Sequence, residues 1–319
     1  MKIVVLDGQS LAANDLDYSA FAQFGELTVY NNTKNEDAIS RIGNSDIVLT
    51  NKVVISREVI ENCPSVRLII VMATGYNVID LEAAKDHGVT VTNIPAYSTN
   101  SVAQYVFACI LNYCNRISEH ADDVKGGGWI KSEPFSYRIA PLYELAGKTI
   151  GIIGFGAIGK TVAKIAKAFD MNVLIYSRTI YPQFETPALK FVDLNTLLEN
   201  SDFVSLHCPL TAATQNLIGA EQLKKMKKSA MLINSARGAV INEQDLANAL
   251  KDGTIAAAAL DVLCHEPMQE SCPLKDAPNC VITPHIAWAP LETRQRLMDI
   301  AVNNLISFLN GTPQNTVNL

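Results

Sequence analysis

The sequence predicts an α/β protein made of two doubly wound parallel-sheet domains. Three observations carry this expectation. Short apolar runs alternate with helical periodicity over residues 1–97, and a glycine-rich turn in mid-chain opens a second alternation of the same kind. The final helical segment has no place in that second series and is expected to return to the first. The domain boundaries follow. Residues 1–97 with 290–319 form one domain, and residues 98–289 form a second one inserted into it.

In the first series, residues 2–6, 27–30, 47–50, 68–72 and 89–92 read as strands, with helices at 35–42, 56–62 and 81–87. Alternating β and α segments imply parallel strands covered by helices on both faces. A long helix is expected from Ser98, where Ser98-Thr99-Asn100 supplies capping side chains, to about Ser118. The second series predicts strands at 149–153, 172–176, 203–207, 230–234, 254–260 and 280–283, and a last helix at 291–310. Residues 126–145 are the least regular. Their apolar and aromatic content, with Trp129, Phe135, Tyr137, Leu142 and Tyr143, suits an arm that packs on a second copy.

Gly154-Phe155-Gly156-Ala157-Ile158-Gly159 follows the apolar run at 149–153 and opens an amphipathic segment at 158–169. Strand, glycine turn and helix in this order make a dinucleotide site. Gly154 allows the tight turn, Gly156 lets the backbone approach a pyrophosphate, and Gly159 lets the helix lie close to the strand. The helix N-terminus then offers N–H groups to the phosphates. Such a site reads the adenosine ribose at the end of the next strand. There, in place of an acidic residue, the chain has Ser177-Arg178, with Arg178 lying 19 positions past Gly159. A guanidinium can grip a 2′-phosphate that a carboxylate would repel, so the cofactor expectation is NAD or NADP, with NADP use favoured.

Three later segments carry chemistry. Asn234-Ser235-Ala236-Arg237-Gly238 closes a strand at its carboxyl end, where open α/β sheets collect ligands, and an arginine there suits capture of a small carboxylate. Asp261 ends the next strand, with Glu266-Pro267 five residues on. His285 follows another strand and is of the residue type best suited to proton transfer near neutral pH. A nearby carboxylate would orient its ring, although spacing alone does not pair it with Glu266. His87, His120 and His265 read as structural.

Composition narrows the function. The 319 residues are 48% hydrophobic and 18% charged, enough apolar material for two cores. A net charge of −6 argues against nucleic acid and offers no basic patch to a membrane surface. No apolar run reaches a membrane span, and the N-terminus reads as a first strand instead of a signal peptide. The seven cysteines show no Cys-x-x-Cys pair or Cys/His ligand spacing, so reduced cytoplasmic thiols and no metal site are expected.

With these segments in hand, the chain resembles the NAD(P)-dependent D-2-hydroxyacid dehydrogenases over essentially its full length. Residues 154–159, 205–211, 234–238, 259–262, 266–267 and 283–285 carry the resemblance. Residues 4–8, 50–52, 73–77 and 284–289 are similar to the glycerate dehydrogenase/hydroxypyruvate reductase subgroup. The resemblance implies a flavodoxin-like substrate domain and a Rossmann cofactor domain. It implies reduction of hydroxypyruvate to D-glycerate, with glyoxylate and pyruvate as lesser substrates. It also implies His285 as acid/base paired with Glu266, and Arg237 holding the substrate carboxylate and carbonyl oxygen. Backbone amides around Ala73, Thr74 and Gly75 would hold the carboxylate as well. Phe155, Gly156, Ala157 and Ile158 would wrap the pyrophosphate, and His207, Cys208, Pro209 and Thr214 would border the adenosine. Asp261 would bind the nicotinamide carboxamide, with Ser235, Ala236 and Ala287 nearby, while Ser101, Val102 and Gln104 would sit near the domain junction. A homodimer through the cofactor domain is implied too, in line with the arm. The alternatives are a D-lactate-type or other 2-hydroxyacid dehydrogenase, or a non-catalytic NAD(H)-sensing binding protein. Ser177-Arg178 departs from the acidic ribose reader of many members, and Cys264-His265 fits no pattern.

Overall fold

The computed structural model describes all residues except 13, 14 and 319. The chain divides into two compact units, Met1–Ser98 with Trp288–Leu319, and Thr99–Ala287. The first is a five-stranded sheet of β1 (Lys2–Val5), β2 (Glu26–Val29), β3 (Ile47–Thr50), β4 (Leu68–Val71) and β5 (Thr90–Thr92), in the order β2-β1-β3-β4-β5. Its ladders are all parallel. This is the flavodoxin-like strand order. Strands β3 and β4 are buried along their whole length, as an interior parallel strand covered on both faces must be.

The helix Leu291–Leu309 covers one face of this sheet. Leu297, Met298, Ala301 and Leu305 share a core with Ile3, Val5, Leu49, Leu68 and Ile70. At its N-terminal end Arg294, 8% exposed, bonds Asp15 twice at 2.5 Å and donates to the carbonyls of Leu11 and Ala289. A guanidinium that buried needs all of these partners.

The second unit is a seven-stranded parallel sheet of β6 (Thr149–Ile153), β7 (Asn172–Tyr176), β8 (Leu189–Phe191), β9 (Phe203–Leu206), β10 (Met231–Asn234), β11 (Ala257–Leu260) and β12 (Cys280–Ile282). The order β12-β11-β10-β9-β6-β7-β8 reverses direction between β6 and β9. That is the Rossmann arrangement, and its switch point is where open sheets take ligands. The predicted α/β class and paired parallel sheets are present.

Three details differ from the sequence expectation. Strand β8 was not foreseen: it has three residues, preceded by Pro182 and Pro187, too few to show a period, and pairing with Val173–Ile175 defines it. The long helix stops at Asn115, and Ile117–Lys125 forms a second helix after Arg116, whose φ of +46° breaks the ladder. Strand β11 starts at Ala257 because the chain is still turning at Gly253, with φ +65°. Residues 126–145 hold only the short helix Gly128–Lys131, and Ile130 and Phe135 are 89% and 90% exposed.

Candidate active site

The glycine turn lies at the end of β6, beside the switch point. Gly154 has φ +99°, and a Cβ there would sit 2.7 Å from the backbone of His207 and Cys208 after β9. Only glycine allows both that conformation and that approach. At Gly159 a Cβ would come within 2.2 Å of the Gly154 carbonyl, so this glycine seats the helix on the turn. Gly156, by contrast, faces open space and is the N-cap of the helix Ala157–Ala168, with no side chain capping the helix. An exposed, uncapped helix start over a smooth turn is what a pyrophosphate requires.

Neighbouring segments complete this edge. Ser177 and Arg178 follow β7, which pairs with β6. The imidazole of His207 meets the Ser205 hydroxyl at 2.9 Å, and burial pushes it down to about 4, so it is neutral near pH 7. Past Cys208, the Thr214 hydroxyl bonds the Pro209 carbonyl at 2.6 Å and accepts the Thr211 amide at 2.8 Å, which fixes the 209–214 loop. After β10 the buried Asn234 side chain folds the Arg237 turn. It donates to the Arg237 carbonyl at 2.9 Å and accepts from the Ala236 amide at 3.0 Å. The Ser235 hydroxyl in this turn is buried with no protein partner. Such an orphan costs stability unless a ligand satisfies it, and with the open Gly156 cradle it fits a bound dinucleotide.

Of the three catalytic candidates, the structure brings Glu266 and His285 into side-chain contact across the loops that follow β11 and β12. His285 Nδ1 lies 2.7 Å from Glu266 Oε2, and Glu266 Oε1 accepts the Leu263 amide at 3.0 Å. Gly238 lets the Arg237 turn approach them, since a Cβ there would stand 2.0 Å from the backbone of Leu263. Arg237 is exposed and donates to the Ala236 carbonyl at 2.7 Å. The Cys264 amide donates to Glu243 at 2.7 Å, and this bond anchors the Glu266 loop to the helix Glu243–Lys251.

His285 itself has φ +56°, a conformation that a non-glycine residue holds only when its surroundings impose it. Asp261, 2% exposed, does so. Its carboxylate accepts the Thr283 hydroxyl at 2.6 Å and the amides of Ile286 and Ala287, both at 2.8 Å. Tyr105 then bonds the Thr283 hydroxyl at 2.7 Å. Because that hydroxyl spends its only proton on Asp261, Tyr105 is the donor. The Asp261 oxygens are thus taken up by the loop that carries His285. Sequence reasoning missed the roles of Tyr105 and Thr283, which arise from contacts 22 and 178 positions apart in the chain, and that of Asn234, whose bonds two and three positions on hold a turn that has no period to read.

In the other unit, Ala73, Thr74 and Gly75 follow β4. Thr74 is exposed; its hydroxyl bonds the Ile94 carbonyl at 2.9 Å, and its own carbonyl accepts the Asn93 side chain at 2.8 Å. Among the described residues, no protein acceptor takes the amides of Thr74 or Gly75. Also unforeseen is Asp7, whose buried carboxylate accepts the amides of Asn51 at 2.9 Å and Lys52 at 2.6 Å. Burial pushes its carboxyl up against the pull of those bonds.

Comparison with known proteins places the chain in a family. The model of the D-isomer specific 2-hydroxyacid dehydrogenase NAD binding domain matches residues 107–287. The chain belongs to the D-isomer specific 2-hydroxyacid dehydrogenase family. It is 48% identical to the hydroxypyruvate reductase of Blautia hydrogenotrophica, over all of both chains. It is 43% identical to the glycerate dehydrogenase of Methylorubrum extorquens, over 99% of this chain and 98% of that one. A solved acyclic imino acid reductase in complex with NADPH and D-Arg is similar with a TM-score of 0.85 and 32% identity, over 99% of this chain and 100% of that one. The protein is an oxidoreductase of this family that acts on a 2-keto/2-hydroxy acid pair, and its cofactor is NAD or NADP. Among the described residues no helix is long and apolar enough to cross a membrane, and no cluster of three or more acidic, His or Cys side chains could hold a metal.

Proposed function

We propose that this dehydrogenase reduces hydroxypyruvate to D-glycerate, with glyoxylate as a lesser substrate, and that His285 is its acid/base. The observation that carries the reading is the 2.7 Å contact between His285 Nδ1 and Glu266. With Nδ1–H held by the carboxylate, Nε2 is the ring atom turned to substrate, as donor in reduction and acceptor in oxidation. The bound dihydronicotinamide supplies the hydride. His285 gives its proton to the carbonyl oxygen and regains one from water. Arg237 holds the substrate carboxylate and draws charge onto the carbonyl oxygen, and the free amides of Thr74 and Gly75, beside Ala73, bind the carboxylate.

The unit 99–287 would be the cofactor domain, and 1–98 with 288–319 the substrate domain. Gly154 to Gly159 would take the pyrophosphate. His207, Cys208, Pro209 and Thr214 would border the adenosine, and Ser235, Ala236, Asp261 and Ala287 would lie at the nicotinamide end. Arg178 supports use of NADP as well as NAD. The exposed Ile130 and Phe135 support a homodimer through the arm, and the seven free thiols support a reducing, cytoplasmic setting. Mixing the protein with NADPH or NADH and a panel of short 2-keto acids, and following absorbance at 340 nm, tests the reading. Hydroxypyruvate should give the highest kcat/KM; no cofactor oxidation with any of the acids would overturn it.

A further inference from the structure

The glycine turn carries a cation that no role above uses. Lys160 stands in the first turn of the helix Ala157–Ala168, which has no acidic residue there to balance it. A positive charge at a helix N-terminus is disfavoured by the dipole. Among the described residues its ammonium meets no carboxylate. It lies instead over three rings, 4.7 Å from the centroid of Tyr181, 5.3 Å from Phe184 and 5.9 Å from Phe155. The rings also hold one another. Phe155 meets Phe184 edge-on at 5.4 Å and Phe191 edge-on at 5.3 Å, and Tyr181 meets Phe184 edge-on at 6.2 Å.

The addresses of these rings give the cluster its meaning. Phe155 is the buried residue inside the glycine turn, and Phe191 lies in β8. Tyr181 and Phe184 lie on the loop that begins with Ser177 and Arg178. That loop leaves β7 and contains only the short turn Pro182–Phe184, so few backbone bonds hold it. The ring cluster with Lys160 at its centre ties the loop to the phosphate turn.

We propose that Lys160 is a positioning and specificity-determining residue for the cofactor. Its caged ammonium pins the 177–184 loop to the glycine turn. It also adds fixed positive charge on the side where the adenosine ribose is read, and so favours a ribose bearing a 2′-phosphate. The inference rests on the reading of Ser177 and Arg178 as the ribose readers. Cation–ring attraction survives exchange of one cation for another but not loss of the charge, which separates it from simple packing.

Calorimetric titration of the full-length protein with NADPH and with NADH tests this, on wild type, Lys160→Met, Lys160→Arg and Arg178→Ala. Lys160→Met should weaken NADPH binding about tenfold and NADH binding about threefold, with kcat at saturating cofactor kept within about twofold. Lys160→Arg should restore both affinities to within about twofold, because its guanidinium can stack on the same rings. Unchanged affinities in Lys160→Met, or no restoration by Lys160→Arg, would overturn the proposal. Rejection of NADPH by wild type, or an unchanged preference in Arg178→Ala, overturns the Arg178 reading alone, and the NADH affinities then decide the role of Lys160. Should Lys160→Met not fold, Phe184→Leu removes one wall of the cage at a ring already 39% exposed and should reproduce the same loss.

Discussion

At the scale of single residues, the site is a set of side chains whose own partners limit what they can do. His285 is oriented by Glu266 at one ring nitrogen and forced to φ +56° by the loop around Asp261. Removing the imidazole removes the proposed proton donor but none of the groups around the glycine turn. His285→Ala should therefore lower kcat by roughly 10²- to 10⁴-fold while cofactor affinity holds, and steady-state kinetics with a cofactor titration check it. An unchanged kcat would take His285 out of the chemistry. His207 acts on stability instead. Burial holds it at about 4 against an ordinary value of 6.5. Above pH 6.5 both folded and unfolded chains carry it neutral. Between 6.5 and 4 the unfolded chain takes up a proton that the folded chain refuses, so stability falls as pH drops, and the contribution levels off below 4. The gap amounts to about 3 kcal/mol. Thermal unfolding at pH 7 and pH 4.5 should show His207→Gln losing less stability than wild type over that interval. Equal losses would mean that His207 is solvated.

At the scale of elements, glycines and short polar side chains decide how closely the strands' carboxyl ends gather. Gly154 brings the β6 turn against the chain after β9, and Gly238 brings the Arg237 turn against the loop of Glu266. Both were legible as glycines in a motif, but which backbone each would meet was not, because the meeting partner lies 53 or more positions away for the first and 25 for the second. The chain of bonds from Tyr105 through Thr283 to Asp261 ties a helix, a strand end and the His285 loop together. Tyr105→Phe deletes the first donor and leaves the ring. It should cost about 1 kcal/mol of stability, read from chemical unfolding, and lower kcat several-fold through a looser His285 loop. If both quantities match wild type, the hydroxyl does not position that loop.

At the scale of the whole molecule, the exposed arm bears on assembly. Ile130 and Phe135 are about nine-tenths exposed, and Trp129 and Leu142 about half. A run of this kind is unusual on a monomer surface. Phe135→Asp with Ile130→Asp should shift the protein from dimer to monomer in sedimentation analysis, and a wild type that sediments as a monomer would overturn the dimer reading. The sequence by itself determined the two parallel α/β sheets, the dinucleotide turn and the identity of Arg237, Glu266 and His285 as candidates. Those features depend on local period, on glycine and on residue type, all of which are properties of neighbouring positions. Only the tertiary structure decided that Glu266 reaches His285, that Asp261 spends its carboxylate on the loop between Thr283 and Ala287, that β8 exists, and that Lys160 rests among three rings. Each of these is a contact between segments that the chain keeps apart. Their energies come from burial and hydrogen bonding at close range, which spacing along a sequence does not encode.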